Sequence, residues 1–294
     1  MQTPNRLSLP ATSILALGCL LGVRAEDPTP RVDKSGYHLF NPVPREAMRE
    51  FSTDRPDQTE SAYTVDAGHF QIESDVFAFS RDRDTSVPGG VVNETGTFAS
   101  VNLKAGLVNH VDLQVVLDPY VRSRTTDRGA GTVDRVGGFG DITTRLKVNL
   151  WGDDGGPTAF AVMPYLKFPT AKRGLGNNSL EGGVIAPFAM ELPAGFGLGL
   201  QTQADILRND GRSGHHLEWV NSVTVGHDIV GALAGYVEFF TVTSFERGAP
   251  WVGFFDLGLT YGLTENIQLD AGCNFGVTDS APDYNPFLGI SLRF

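Results

Sequence analysis

Histidine and serine side chains are the first candidates for chemistry in this chain. Six histidines are present, namely His38, His69, His110, His215, His216 and His227. Their spacing includes no His-x-x-x-His pair, and no Cys-x-x-Cys pair occurs either, so the pattern indicates no metal site. Ser222 and His216 could act as nucleophile and base in a hydrolase. On one strand, however, six residues separate them by about 20 Å, too far for a direct hydrogen bond.

We therefore predict no catalytic residues, no metal ligands and no cofactor, and we expect the protein not to be an enzyme. The charge balance narrows the function further, because Lys and Arg total 23 against 34 Asp and Glu, a net charge of −11. Nucleic acid is not an expected partner, since phosphate binding requires a basic surface. The two cysteines, Cys19 and Cys273, are too few for a disulfide framework.

The N-terminus resembles a cleavable export signal. Arg6 precedes an apolar run from Ala11 to Val23, and Val23-Arg24-Ala25 ends it with small residues. The run is shorter than the roughly 20 apolar residues of a transmembrane helix. We predict a signal peptide over residues 1–25.

Residues 26–67 form a proline-rich segment that we call the arm. Prolines restrict regular strand pairing, so we expect an irregular periplasmic arm or partial plug. Its charged motif consists of Asp54, Arg55 and Asp57. This motif directly precedes the first predicted strand, so it could pair with charges inside a barrel or form a capped turn at the rim. Both interpretations stay open.

Beyond the arm, apolar and polar residues alternate with a period of two. In the stretch 111–118, for example, Val111, Leu113, Val115 and Leu117 alternate with mostly polar neighbours. Such alternation predicts strands with one apolar and one polar face. About twelve segments follow this pattern, near 69–80, 95–107, 110–122, 139–151, 157–168, 182–193, 196–207, 215–228, 231–242, 251–261, 265–276 and 284–294.

The connections between these segments alternate in length. Short turns, such as Val108-Asn109 and 152–156, alternate with longer charged connections, such as 81–94, 123–138 and 169–181. This asymmetry is typical of an outer-membrane barrel with short periplasmic turns and long external loops. We predict an all-β protein whose residues 68–294 form a transmembrane antiparallel β-barrel of about twelve strands.

In such a barrel the polar face lines the lumen and the apolar face contacts lipid. The predicted lumen-lining residues are Glu73, Asp112, Gln114, Asp141, Arg145, Lys147, Lys167, Gln201, Gln203, Asp205, Glu218, Glu238, Asp256, Gln268 and Asp270, together with Asp75. Trp151, Trp219, Trp251, Tyr261 and Phe168 lie near strand ends, where aromatic girdles are expected. The final strand ends on Phe294, which resembles the C-terminal assembly signal of bacterial outer-membrane barrels.

Three sequence blocks resemble a known family. The opening motif Phe51-Ser52-Thr53-Asp54-Arg55-Pro56-Asp57-Gln58-Thr59-Glu60-Ser61 leads into 68–73. Together with the blocks at 138–142 and 168–183, it is similar to the outer-membrane transporters of the MetA-pathway of phenol degradation family. The resemblance spans about Asn41 to Phe294 and implies an outer-membrane barrel named as a transporter. It carries over no catalytic residues.

These observations predict an outer-membrane channel or transporter for small solutes by passive diffusion, with aromatic or hydrophobic solutes as candidates. The alternative is a non-transporting structural or surface-interaction barrel, followed by an outer-membrane hydrolase. The expected partners are the lipid bilayer, a small-molecule solute and the outer-membrane assembly machinery, which would bind the C-terminal strand. We expect a monomer in the outer membrane of a Gram-negative-type bacterium.

Overall fold

The computed structural model describes residues 32–209 and 213–294. The predicted signal peptide, residues 1–25, lies outside the described residues. Fourteen strand segments follow the arm, and all of their pairings are antiparallel. They are β1 (Phe70–Asp84), β2 (Val91–Val108), β3 (Val111–Leu117), β4 (Tyr120–Asp127), β5 (Thr132–Gly138), β6 (Ile142–Trp151), β7 (Thr158–Phe168), β8 (Glu181–Glu191), β9 (Phe196–Arg208), β10 (His215–Val230), β11 (Leu233–Ser244), β12 (Val252–Thr264), β13 (Ile267–Gly276) and β14 (Tyr284–Arg293).

Segments β3 and β4 are the two halves of one long strand, and β5 and β6 are the two halves of the next. The long strand β2 pairs with β3 through Val101↔Leu117 and with β4 through Phe98↔Tyr120. In the same way β3 pairs with β6, and β4 pairs with β5. The chain therefore crosses the barrel wall twelve times, which confirms the predicted strand number.

The barrel closes between its first and last strands. β1 pairs with β2 on one side and with β14 on the other, beginning at Gln71↔Arg293. Phe70 and Phe294 exchange backbone hydrogen bonds of 3.0 Å at this seam, and their rings stack. Closure leaves no unpaired edge, which is what a β-structure in hydrocarbon requires.

Two predicted external loops are shorter than expected. The stretch 123–138 was predicted to be a loop, yet most of it belongs to the hairpin β4–β5. Likewise, β1 continues to Asp84 and β2 begins at Val91, so most of 81–94 is strand. Strands that extend beyond the membrane lose the apolar face, so the alternation that marks them in the sequence disappears.

The wall reverses the arrangement of a soluble protein. Lys147 and Gln114 are 0% exposed, whereas the outward-facing Leu113 and Leu146 are 40% and 38% exposed. The five predicted girdle aromatics are also exposed, which identifies them as outward-facing rather than core residues. These exposures fit a lipid-facing outer surface and a polar interior.

The arm has little regular structure. A single 3-10 turn, Arg45–Ala47, occurs in its described residues, and the remainder is irregular as predicted. Within residues 32–209 and 213–294, no helix is long and apolar enough to cross a membrane. The arm is held instead by contacts with inward-facing side chains of the wall, as described next.

Candidate functional site

The polar interior is assembled from alternate residues of all the strands. The strand registers place Asp75 and every predicted lumen-lining residue on the inward face, although Asp141 lies just before β6 rather than within it. Asp141 accepts a hydrogen bond from the backbone of Ala171, so it supports the β7–β8 loop at the loop end of the barrel. The other residues line the strands themselves, and many of them contact the arm.

Asp54 of the arm is buried between two lysines of the wall. Its carboxylate lies 2.5 Å from Lys104 Nζ and also contacts Lys147 Nζ, while Gln114 donates a hydrogen bond of 3.2 Å. Burial opposes ionisation of Asp54, but the two lysines outweigh it and hold the pKa of this carboxyl well below its usual range. Glu73 accepts the backbone N–H of Asp54, which completes a dense charged cluster.

Arg55, the next residue, reaches the opposite side of the lumen. Its guanidinium lies 2.6 Å from Asp75 and 2.7 Å from Asp270. Burial opposes its charge, yet the two carboxylates raise the pKa of Arg55 above its usual value. Gly289 leaves the room for this contact, because a Cβ there would lie 2.2 Å from the guanidinium.

A third contact forms at Gln58 and Thr59. Their backbone N–H groups donate to the carboxylate of Glu238 at 2.7 and 2.8 Å. The hydroxyl of Thr59 lies 2.6 Å from that of Ser222. Ser222 therefore contacts the arm, and His216 contacts Asn209 instead, so the structure does not bring this serine and histidine together.

Glu60 completes the central contacts. Its carboxylate forms an ion pair of 2.7 Å with Arg145, and its backbone N–H donates to Gln201. Burial raises the pKa of Glu60 to about 7, although Arg145 opposes the shift. Glu60 is thus a group of the arm that titrates close to neutral pH.

Asp57 faces a second acidic group of the wall. Glu238 on β11 and Asp256 on β12 are directly opposite each other in register, and each is 1% exposed. Neither carboxylate oxygen of Asp256 has a hydrogen-bond partner among the described residues. Burial and the neighbouring Glu238 raise the pKa of Asp57 well above its usual value. This side of the lumen is therefore acidic and poorly compensated.

At the short-turn end, ion pairs and hydrogen bonds hold both the beginning and the end of the arm. Arg49 contacts Asp154 at 3.1 Å and Asp153 at 3.5 Å, both in the β6–β7 turn. Thr64 donates its backbone N–H to Asp153, and Lys34 pairs with Asp66 at 2.9 Å. Asp153 and Asp154 form a turn as predicted from the sequence, but they also bind the arm.

Two cavities adjoin these contacts, and a third lies among the loops at the other end of the barrel. One of about 660 Å³ opens at the short-turn end between residues 45–51 and the β12–β13 turn. A second, of about 430 Å³, lies between arm residues 52–63 and the wall from β8 to β12. The third, about 1360 Å³, lies at the loop end among residues 83–92 and 276–283. Open space therefore exists on both sides of the arm contacts.

An apolar cluster lines the lumen near the loop end. Phe240 and Phe254 stack with ring centroids 4.5 Å apart, and Ala281 from the β13–β14 loop packs on them. Because this loop folds inward, it narrows the lumen from the end opposite the arm. The described residues contain no group of three or more His, Cys, Asp or Glu side chains placed to hold a metal ion.

Some contact residues were absent from the sequence prediction. Lys104, Asn149 and Ser222 bind the arm, and inward alternation within their strands would have identified all three. The partners of the arm motif could not have been found in this way, because alternation assigns a face and not a partner.

Comparisons with known proteins agree with this fold. The model of the family described as "Putative MetA-pathway of phenol degradation" matches residues 53–294. No curated protein matches the sequence. Among solved structures, the COG4313 outer membrane channel from Pseudomonas putida F1 is 13% identical with a TM-score of 0.60, covering 83% of this chain and 100% of the other.

Two more solved barrels are similar at lower scores. The anion-selective porin from Comamonas acidovorans is 10% identical, with a TM-score of 0.38 over 77% of this chain and 98% of its own. The CymD monoaromatic hydrocarbon channel is 7% identical, with a TM-score of 0.42 over 76% and 87%. The fold shared with the Pseudomonas channel is that of an outer-membrane barrel.

Proposed function

This chain belongs to the MetA-pathway of phenol degradation family, and from that premise we propose that it is a passive outer-membrane channel for small solutes. The observation that carries the proposal is the polar lumen with cavities of about 430 and 660 Å³ at one end and about 1360 Å³ at the other. The arm separates these spaces by hydrogen bonds and ion pairs, which are contacts that can break and reform. Movement of the arm, together with movement of the inward-folded β13–β14 loop, would connect the cavities.

Aromatic or hydrophobic solutes are the candidates for transport. Tyr236 lines the cavity beside the arm. The buried rings of Phe240 and Phe254 would become accessible from the lumen if the β13–β14 loop moved away from them. Aromatic walls bind flat apolar solutes by stacking and edge contacts. The acidic side chains on the same side of the lumen would disfavour anions.

The proposed orientation follows the loop lengths. The short turns and the arm face the periplasm, and the long loops face outside. Residues 1–25 would direct export and be removed. The last strand, with Phe294 exposed on the outward face, would bind the assembly machinery of the Gram-negative-type outer membrane. The barrel closes on itself, so we propose a monomer.

A non-transporting barrel is the second candidate, and the density of arm contacts favours it. At least five wall residues hold the arm at its centre, namely Glu73, Lys104, Lys147, Asp270 and Glu238. A permanently docked arm would make the protein a structural or surface element. An enzymatic role is the least supported, because Ser222 contacts Thr59 and His216 contacts Asn209.

Liposome swelling tests the channel against the closed barrel. The mature protein is reconstituted, and swelling is measured with arabinose, glutamate and phenylalanine as neutral, acidic and aromatic solutes. The same assay uses Thr59→Cys/Ser222→Cys in a Cys273→Ala background. The two native hydroxyl oxygens lie 2.6 Å apart, so these positions are within disulfide reach.

We expect the wild-type protein to admit arabinose and phenylalanine faster than glutamate. Oxidation of the double-cysteine variant should suppress swelling, and reduction should restore it. Ser222→Cys alone in the same background controls for the oxidant. Absence of swelling with all three solutes, in the wild type and in the reduced variant, would favour the non-transporting barrel.

A further inference from the structure

The outward face of the barrel carries a basic row at the loop end. Phe77, Phe98 and Tyr120 form an aromatic rung across β1, β2 and β4, with Phe77↔Phe98 and Phe98↔Tyr120 in register. Their side chains are 38%, 40% and 46% exposed, so this rung lies on the lipid-facing surface. Aromatic rungs of this kind mark the boundary between hydrocarbon and headgroups.

Arginines follow on the same face beyond the aromatic rung. Arg122 lies two residues past Tyr120, at the register position of Gly96 and Gly137. Two residues beyond Arg122 on β4, the register forms one continuous row across four strands, which consists of Arg81, Glu94, Arg124 and Arg135. Four arginines and a single glutamate therefore occupy these two positions of the face, and Arg83, two residues beyond Arg81, is paired with Asp283 at 2.6 Å.

The row lies at the height of the headgroups. Four residues of strand advance about 13 Å, which corresponds to about 10 Å along the membrane normal for a strand tilted by roughly 40°. Arg122 lies about half as far from the aromatic rung. The headgroup layer extends about 5–8 Å beyond the hydrocarbon core, and the sugars of a glycolipid reach further.

The internal partners of these arginines do not balance their charge. Glu94 lies 3.5 Å from Arg124 and 3.9 Å from Arg81. The Nε atoms of Arg81 and Arg124 are buried and lack hydrogen-bond partners among the described residues. Arg122 and Arg135 form no ion pair with any residue that the structure describes.

The register also brings two like charges together. Arg124 and Arg135 are directly opposite each other, an arrangement that destabilises a strand pair unless an anion lies between the side chains. Guanidinium groups are well matched to phosphate, because two parallel N–H groups can donate to two of its oxygens.

We propose that Arg81, Arg122, Arg124 and Arg135 form a docking surface for the phosphorylated headgroup of an outer-leaflet glycolipid. The lipid's acyl chains pack on Phe77, Phe98 and Tyr120, and its phosphates lie against the arginines. This assignment rests on the orientation proposed above, in which the loop end faces outside. It is independent of what the lumen transports.

Binding of defined lipids to the mature protein tests the docking surface. Purified protein in a nonionic detergent is titrated with lipid A carrying two phosphates, and with dephosphorylated lipid A that has the same acyl chains. Native mass spectrometry gives the bound fraction. We expect the phosphorylated lipid to bind about tenfold or more tightly, because each arginine near an anionic membrane surface raises the affinity by about fivefold.

The double variant Arg122→Gln/Arg135→Gln should lose most of this preference. Its matched control is Arg173→Gln/Arg247→Gln, which removes the same charge from two exposed arginines in other loops and should keep the preference. Heat-dependent gel mobility verifies that each variant is folded. The comparison of the two lipids on the wild-type protein needs no variant at all.

Three outcomes would overturn the proposal. The first is equal binding of both lipids by the wild type, and the second is an equal loss in both double variants, which would indicate a general charge effect. The third is full competition by inorganic phosphate at about 10 mM, a concentration far above that of the lipid, which would assign the arginines to free phosphate.

Discussion

Asp54 and Arg55 are adjacent in the chain, yet their side chains bind opposite sides of the lumen. Asp54 contacts lysines on β2 and β6, and Arg55 contacts carboxylates on β1 and β13. Each charge is buried and compensated by charges of opposite sign. Buried pairs of this kind add little net stability over apolar residues, but losing one partner is costly.

Asp54→Asn should weaken docking of the arm. The substitution leaves Lys104 and Lys147 buried without their shared counter-charge, at a cost of about 3–5 kcal/mol. We expect a higher mean conductance in planar bilayers, with more frequent transitions between levels. Glu50→Gln removes the same charge from an exposed position of the arm and should behave as the wild type. Equal conductance in both variants would contradict a role for the Asp54 cluster in docking.

Glu60 should make docking depend on pH. Arg145 and Gln201 contact it, and Asp54, Lys104 and Lys147 lie close enough to influence its charge. Docking raises its pKa from 4.5 to about 7. The docked arm therefore takes up a proton, so the added stability is complete below pH 4.5 and is lost as the pH rises through 7. Asp57 shifts in the same direction.

Single-channel recordings between pH 5 and 8 would measure this dependence. We expect the open fraction to rise with pH, by at most about tenfold per pH unit for one proton. Glu60→Gln should flatten the curve, and Asp57→Asn/Glu60→Gln should flatten it further. An open fraction that increases on acidification would show that another group controls the arm.

At the scale of elements, the arm depends on a glycine in the wall. A Cβ at Gly106 would lie 2.0 Å from the carbonyl oxygen of Asp66 and 2.7 Å from that of Val65. Gly106 also accepts the backbone N–H of Gly68. The arm backbone thus lies directly against strand β2 at this point.

Gly106→Val should displace the end of the arm without opening the barrel. The new side chain meets backbone atoms, which cannot move aside as a flexible side chain would, so we expect increased conductance and faster proteolysis of the arm. Gly197→Val is the matched control, because a Cβ there meets nothing within 4 Å. If both variants retain the wild-type conductance, close contact at Gly106 is not required for docking.

The strands could be predicted from the sequence because lipid and lumen impose opposite polarity on alternate residues. Leu113 and Gln114 illustrate this, with 40% and 0% exposure. The extension of β4 to Asp127 could not be predicted, since its outer part has no apolar face. The partners of Asp54 could not be predicted either, because an irregular arm has no periodicity that relates its residues to those of the wall.

At the scale of the whole molecule, charge is unevenly distributed around the lumen. Lys104, Lys147 and Arg145 lie on β2 and β6 and are paired with carboxylates. On the opposite side, Glu238 and Asp256 face Asp57, and neither forms an ion pair with a described residue. The cavity beside the arm is lined by the exposed acids Glu191 and Asp228, together with Asp57 and Glu60, and by no described lysine or arginine. A permeating ion would therefore meet net negative charge there.

We therefore expect the open channel to prefer cations. A single charge about 7 Å from an ion in water changes its energy by about 0.6 kcal/mol and acts with opposite sign on K⁺ and Cl⁻. Glu191→Gln removes an exposed acid that lines this cavity, so it should lower the K⁺ to Cl⁻ permeability ratio by about sevenfold. Reversal potentials in a KCl gradient at low ionic strength measure the ratio. Asp134→Asn, which neutralises an exposed acid on the hairpin β4–β5, should leave the permeability ratio unchanged.

Because the Debye length falls to about 3 Å in 1 M salt, the preference for cations should also disappear at that concentration. Chloride selectivity at low salt would mean that ions pass along the basic side of the lumen instead.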